Sequence, residues 1–190
     1  DIKFVPQRDI EYKQEITDED RTILGKDVPD FTYGVNLSLQ YKGFEFSMFG
    51  QGISGTKVAF DVYGVHPFYH GQDSPRKYHL KRWTEENPNS RFPRLTFMNK
   101  SHYLQTSDLW LMNGSYLRLK TAEISYTLPQ KDFLKKVGIE SVRFYCNGYN
   151  LLTLFSDLND IDIDPEGVTD GGNNNYPNIR IYNFGVNISF

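Results

Sequence analysis

The last fifteen residues, YPNIRIYNFGVNISF from Tyr176 to Phe190, set small polar residues against large apolar ones and end on an aromatic. Successive side chains of a β-strand point to opposite faces. Tyr182, Phe184, Val186, Ile188 and Phe190 therefore share one face, and Asn183, Gly185, Asn187 and Ser189 share the other. The first face suits lipid and the second suits a wet, crowded interior. A strand with two such unlike faces points to the wall of an outer-membrane barrel.

The pattern recurs along the chain. In FTYGVNLSLQY, Phe31, Tyr33, Val35, Leu37, Leu39 and Tyr41 oppose Thr32, Gly34, Asn36, Ser38 and Gln40. A tight turn at Tyr41-Lys42-Gly43 leads to Phe44, Phe46 and Met48, opposite Glu45, Ser47 and Gln51, which predicts a hairpin. Phe49 breaks the pattern by falling with the polar set. Further on, Ala122, Ile124, Tyr126 and Leu128 oppose Thr121, Glu123, Ser125 and Thr127, and Val142, Phe144 and Cys146 oppose Ser141, Arg143, Tyr145 and Asn147. In GSYLRLK the parity is reversed, because Leu117 and Leu119 are odd-numbered. Either a bulge re-phases the strand there or this part projects beyond the lipid.

Bulk properties narrow the function. The net charge of -3, with no cluster of Lys and Arg, supplies no field for nucleic acid. No run of about 18 apolar residues exists, so no transmembrane helix is expected, whereas barrel strands are short and alternate in polarity. Cys146, the single cysteine, cannot form an internal disulfide, lacks partners for a metal site and is read as a small apolar strand residue. The sequence has no signal peptide and starts at Asp1, which reads as a mature chain or a fragment.

Connection lengths carry the topology. Asp1 to Asp30, Ser54 to Gly114 and Phe155 to Asn178 are long, while Tyr41 to Gly43 and Pro129 to Glu140 are short, the latter with a helical turn at DFLKKVG. Outer-membrane barrels alternate short periplasmic turns with long extracellular loops. The expected fold is thus all-β, an antiparallel transmembrane β-barrel crossing the outer membrane several times, with residues 1–30, 54–114 and 155–178 outside. Five strands cannot close a barrel, for which about eight is the minimum. Partner strands are expected from a missing N-terminal portion or another polypeptide.

Candidate sites follow from residue types. The polar faces offer Asn36, Ser38, Gln40, Glu45, Glu123, Arg143 and Asn147 for contact with lumen water or a plug, and Arg143 and Glu123 are expected to pair across neighbouring strands. In HPFYH, the spacing of His66 and His70 would suit two metal ligands on a helix, but Pro67 argues against a helix there. The loop aromatics include His66, Phe68, Tyr69, Tyr78, Trp83, Phe92 and Tyr103, which can stack on sugars or peptides or pack the loop. Packing is expected for Trp83 and Phe92, and contact with substrate or a lid protein for His66, Phe68, Tyr69 and His70. Asp160, Asp162 and Asp164 belong to an acidic, Gly/Asn-rich loop that supplies hard oxygen ligands for calcium; a solvated loop is the preferred reading. No nucleophile setting such as GxSxG appears, so no catalytic residue is assigned and the chain is read as not an enzyme.

Six strings in order, DRTILG, PDFTYGVNLSLQYKGFEFSMFGQGISG, RWTEENPNSRFPRL, NGSYLRLKTAEISYTLP, FYCNGYNLLT and YPNIRIYNFGVNISF, resemble the C-terminal barrel part of SusC/RagA-like TonB-dependent transporters. The resemblance spans nearly all of residues 1–190. It implies a barrel of about 22 strands around an N-terminal plug, a SusD-like surface lipoprotein as lid, and import of glycans, oligosaccharides or peptides driven by the TonB system. The plug is absent from these residues, so the energised step lies elsewhere. Family members often carry a calcium-loop-like stretch before the DRTILG string; here VPQRDIEYKQEITDED has poor ligand spacing. The resemblance also implies that the final strand, through Tyr182, Ile188 and Phe190, is the signal read by the barrel assembly machinery. The competing class is a soluble extracellular carbohydrate-binding β-sandwich, whose half-buried strands also alternate. Such a sandwich would usually carry many Lys and Glu on its wet face; here that face is mostly Asn, Ser, Thr, Gly and Gln.

Overall fold

Five long antiparallel strands carry the alternating segments. The computed structural model describes residues 4–7, 16–59, 67–68, 74–97, 105–129, 132–167, 176 and 178–190. Strands β1 (Phe31–Tyr41), β2 (Phe44–Ser54), β5 (Tyr116–Thr127), β6 (Ser141–Leu154) and β7 (Ile181–Ser189) form one sheet in the order β1-β2-β5-β6-β7. Among the described residues β1 and β7 each have one neighbour, so the sheet is open. The chain divides into two compact units, and the sheet belongs to the unit comprising Pro29–Gly55, Gly114–Ser156 and Pro177–Phe190.

Register keeps the two faces separate. Leu37 opposes Met48 and Leu39 opposes Phe46. Phe46 opposes Ile124, Ile124 opposes Cys146 and Cys146 opposes Phe184. The apolar residues thus align across the whole sheet, and many remain exposed, Phe184 at 79% and Phe190 at 81%. A β-sandwich would cover such a face with a second sheet; exposure on this scale is what lipid-facing side chains require. Among the described residues no helix is long and apolar enough to cross a membrane.

The reversed parity at Leu117 and Leu119 is resolved by a bulge. Both ladders pass from Leu119 to Thr121 and skip Lys120, while β6 skips Asn150 and Leu151 opposite. One extra residue shifts every later side chain to the other face, so Leu117 and Leu119 stay with Ala122, Ile124 and Tyr126. Asn150 adopts φ 51°, a left-handed conformation that Asn tolerates better than most residues. Its side-chain amide donates to the Ile179 carbonyl at 3.2 Å, which ties the bulge to the start of β7.

The short connections are as the sequence predicts. Lys42 and Gly43 have φ 47° and 84°, the signature of a two-residue type I′ hairpin. The Lys42 ammonium lies 5.2 Å from the Tyr41 ring centre, and the Phe44 and Tyr126 rings are 4.4 Å apart. This end of the sheet carries an aromatic band of the kind that sits at a membrane interface. The other short connection holds the helical turn α1 (Asp132–Lys136).

The three long connections do not form three separate loops. Asp1–Val28, Thr56–Asn113 and Asp157–Tyr176 make up the second unit, which has its own core. Tyr78, Trp110, Met112, Leu158, Ile161 and Ile163 cluster there, with Val58, Phe92 and Leu109 against them. Strands β3 (Lys57–Ala59) and β4 (Leu111–Asn113) pair inside it. Leu158 is fully buried, a placement that contributes about 1.5–3 kcal/mol for a side chain of this size. Tyr78 is thus a core residue rather than a stacking surface. Phe92 packs as expected, 5.3 Å from the Tyr78 ring, whereas Trp83 stays 40% exposed although its backbone N–H donates to the Phe92 carbonyl at 2.7 Å.

Burial pushes the Tyr78 phenol up to about 12, against a smaller opposing pull from Arg76. An unfolded phenol ionises near pH 10. The stability contributed by the protonated, buried phenol is therefore complete below about pH 10 and is lost as pH rises towards 12, where only the unfolded state has released its proton. Emission of Trp110, in the same core, should change over that window in the wild-type protein. The change should be much reduced in Tyr78→Phe; an identical alkaline step in both would contradict this account.

Candidate functional site

The polar face of the sheet is joined by side chains from all five strands. On β1, the Gln40 amide donates to Glu45 Oε1 on β2 at 3.4 Å. Arg143 of β6 is the hub. Its Nη2 donates to Glu45 Oε2 at 3.3 Å and to Glu123 Oε1 at 2.7 Å, and its Nε donates to Ser125 Oγ at 3.2 Å. The second Glu123 oxygen accepts from the Asn147 amide at 3.1 Å, and Asn147 Oδ1 accepts from Asn183 of β7 at 2.9 Å.

Register explains why these residues meet. Glu45 faces Ser125, Glu123 faces Asn147, and Asn147 faces Asn183. The carboxylates on neighbouring strands are close enough for one long guanidinium to bridge both. The expected Arg143–Glu123 pairing is present, and Glu45 joins it. Two carboxylates share one cation, so the cluster of these three side chains carries one net negative charge. All three side chains are about one-third exposed, which puts such pairs in a partly screened setting where each contributes on the order of 1 kcal/mol or less.

Of the other expected lumen residues, Asn36 lies on this face opposite Phe49 and outside the chain of bonds. Phe49, the break in the polar pattern, covers a glycine. A side chain on Gly34 of β1 would come 3.2 Å from the Phe49 ring, so the ring occupies the space that Gly34 leaves. Tyr145 does the same over Gly185 of β7, where an added Cβ would fall 2.4 Å from the ring. Cross-strand aromatic cover of glycine stabilises sheet positions that lack a side chain. The role of Phe49 was not legible from periodicity, although a lone aromatic near a strand glycine is its signal.

The remaining candidates divide by location. His66, Tyr69 and His70 lie outside the described residues. Phe68 has φ 60° and stacks on Phe97 at 4.2 Å between centres. Tyr182, Ile188 and Phe190 sit on the exposed apolar side of β7. Asp160, Asp162 and Asp164 do not converge: Asp160 lies 3.8 Å from Lys81, Asp162 has φ 57° and is exposed, and Asp164 accepts from the Glu166 backbone N–H at 3.0 Å. Among the described residues no three His, Cys, Asp or Glu side chains are placed to hold a metal ion. Ile161 and Ile163, interleaved with these carboxylates, are buried in the second unit's core, so the segment is half core rather than wholly solvated.

Removing the hub should expose the cost of the two carboxylates. Arg143→Met is expected to destabilise the protein by about 1–3 kcal/mol, because Glu45 and Glu123 lose their shared cation. Combining Arg143→Met with Glu123→Gln should recover part of that loss. Heat-modifiable gel mobility of the full-length protein measures it, and strictly additive effects would show that the pair is not coupled.

No family model matches the sequence. TonB-dependent receptor P3 of Formosa agariphila is 32% identical over 96% of this chain, and TonB-dependent receptor P26 of the same organism is 33% identical over 92%. The chain spans 18% of the length of each of these curated relatives. Among solved structures, the RagAB peptide importer in its open-open state matches with a TM-score of 0.67 at 28% identity, covering 93% of this chain and 19% of that one. The RagAB peptide transporter matches with a TM-score of 0.68 at 27% identity over the same shares. These relatives are receptors and importers rather than enzymes. Their similarity runs through both the two-faced strands and the segments between them, and on that ground the chain belongs to the SusC/RagA-like TonB-dependent receptors, as part of an outer-membrane β-barrel of that family.

Proposed function

We propose that this chain forms wall and surface segments of a transporter that imports a nutrient, a glycan, oligosaccharide or peptide, across the outer membrane. The observation that carries the reading is a sheet whose apolar face is left exposed while its other face is bridged by one polar network from Gln40 to Asn183. Such a sheet matches hydrocarbon on one side and a water-filled or plugged lumen on the other. The likeness to RagAB supports import as the activity.

In this reading the aromatic band near Lys42 marks the periplasmic interface, and the long connections face the cell exterior. Further barrel strands pair with the edges β1 and β7. A SusD-like lipoprotein closes over the exterior segments, and TonB acts through a plug that residues 1–190 do not supply. Gln40, Glu45, Glu123, Arg143 and Asn147 face that plug or lumen water, while His66, Phe68, Tyr69 and His70 meet substrate or lid. No cofactor is needed in these residues.

Cells carrying the full-length receptor should accumulate a labelled oligosaccharide or peptide only with TonB present, and the receptor should fractionate with the outer membrane beside a surface lipoprotein. Quantitative recovery of the receptor as a lipid-free soluble protein would refute the reading. Assembly has its own test in Phe190→Ala. The amount of inserted receptor is expected to fall several-fold while uptake per inserted molecule is unchanged; an unchanged inserted amount would remove the assembly role of Tyr182, Ile188 and Phe190.

A further inference from the structure

Within the second unit, a cleft of about 470 Å³ opens between two of the long connections. One wall comes from the segment after β3 and presents Lys81, Asn87, Ser90 and Arg91; the other comes from the segment after β6 and presents Asp157 and Asp160. Phe92, Met112 and Ile161 make the floor. The first wall thus carries two positive charges and the second two negative ones, over an apolar base that belongs to the unit's core. The size suits a small ligand of a few residues.

The basic wall is held by its own backbone. Arg91 Nη2 donates to the carbonyls of Leu109 and Leu111, Ser90 Oγ bonds the carbonyls of Lys81 and Phe92, and the Asn87 amide donates to the carbonyls of Lys81 and Arg82 at 3.4 Å each. The acidic wall is anchored through the buried Leu158 and Ile161 on either side of Asp160. Both walls stand on one core, so the cleft is formed before any ligand arrives. Preorganisation of this kind lowers the cost of binding.

We infer that this cleft binds a short peptide by its two opposite charges, the carboxylate against Lys81 and Arg91 and the ammonium against Asp157 and Asp160. A neutral glycan entering it would strip water from four charged groups and return none, which disfavours it. Among the described residues the aromatic ring that lines the cleft is Phe92, which packs against Tyr78 with ring centres 5.3 Å apart. Across the cleft Lys81 and Asp160 stand 3.8 Å apart, with side chains 64% and 81% exposed. A pair so exposed is weak, and a ligand carrying both signs exchanges it for two pairs. The inference rests on the importer reading and selects peptide from the substrate classes that reading leaves open.

The test uses the complete receptor in detergent with three probes: free trialanine, trialanine blocked by N-acetyl and C-amide groups, and maltotriose. Calorimetry should show free trialanine binding at least about tenfold more tightly than either of the others, the scale expected of two new charge pairs. Lys81→Met and Asp160→Asn should each abolish most of that preference while leaving the weak affinity for blocked trialanine unchanged. Both positions are exposed, so unaltered heat-modifiable mobility of the variants confirms that the barrel is intact. Equal affinity for free and blocked peptide, tighter binding of maltotriose, no detectable binding of free trialanine, or a preference unmoved by both variants would each overturn the inference. If TonB-dependent uptake persists alongside any of those results, the importer reading stands and the cleft assignment alone fails.

Discussion

Everything in the sheet depends on keeping two incompatible surfaces apart. A strand has a side-chain period of two, and a slip of one residue would exchange the hydrocarbon-compatible face for the polar one along its full length. Inside a bilayer, unpaired backbone groups and misplaced charges are costly, so register is held at several points. The Lys42-Gly43 turn fixes β1 against β2. The skipped Lys120 on β5 absorbs the odd residue that would otherwise invert the upper half of that strand, while the two residues skipped on β6, Asn150 and Leu151, leave its parity unchanged. Arg143 then links β2, β5 and β6 on the polar side, through contacts that exist in only one register.

The polar network serves the same separation. Glutamates on neighbouring strands would repel along the polar face, and one guanidinium between them turns a liability into a cross-strand tie. Asn147 extends the tie by accepting from one neighbour and donating to another. Glycines under Phe49 and Tyr145 let aromatic rings lie flat on that face, filling space without adding charge. The polar face of the sheet is therefore structured by its own side chains.

The sheet was legible because its signal is periodic. Five strands, their two short connections, the helical turn near Asp132 and the Glu123–Arg143 pairing all follow from alternation and sequential antiparallel pairing. Membership of Glu45 in the cluster needed register, which alternation alone does not specify. The second unit was hidden for a different reason. Its core residues Tyr78, Trp110, Met112, Leu158, Ile161 and Ile163 come from two segments far apart in the chain and follow no period. Its short 3-10 turns and two small strands leave polar residues everywhere between them, and such a stretch reads as loop. The acidic segment misled most, because Asp160, Asp162 and Asp164 draw the eye while the apolar residues between them do the packing.

The shared core of the long connections also constrains how these surface segments can vary. Replacing residues 155–178 with the corresponding loop of another receptor would remove Leu158, Ile161 and Ile163 from beneath Tyr78, Trp110 and Met112, leaving a hole where a side chain at full burial had been. Replacing residues 54–114 alone would strand the same three residues in water. The two segments are thus a single unit of inheritance despite the strands β5 and β6 that separate them in the chain. Recombination or grafting that respects strand boundaries would still break the second unit unless it moves both segments together.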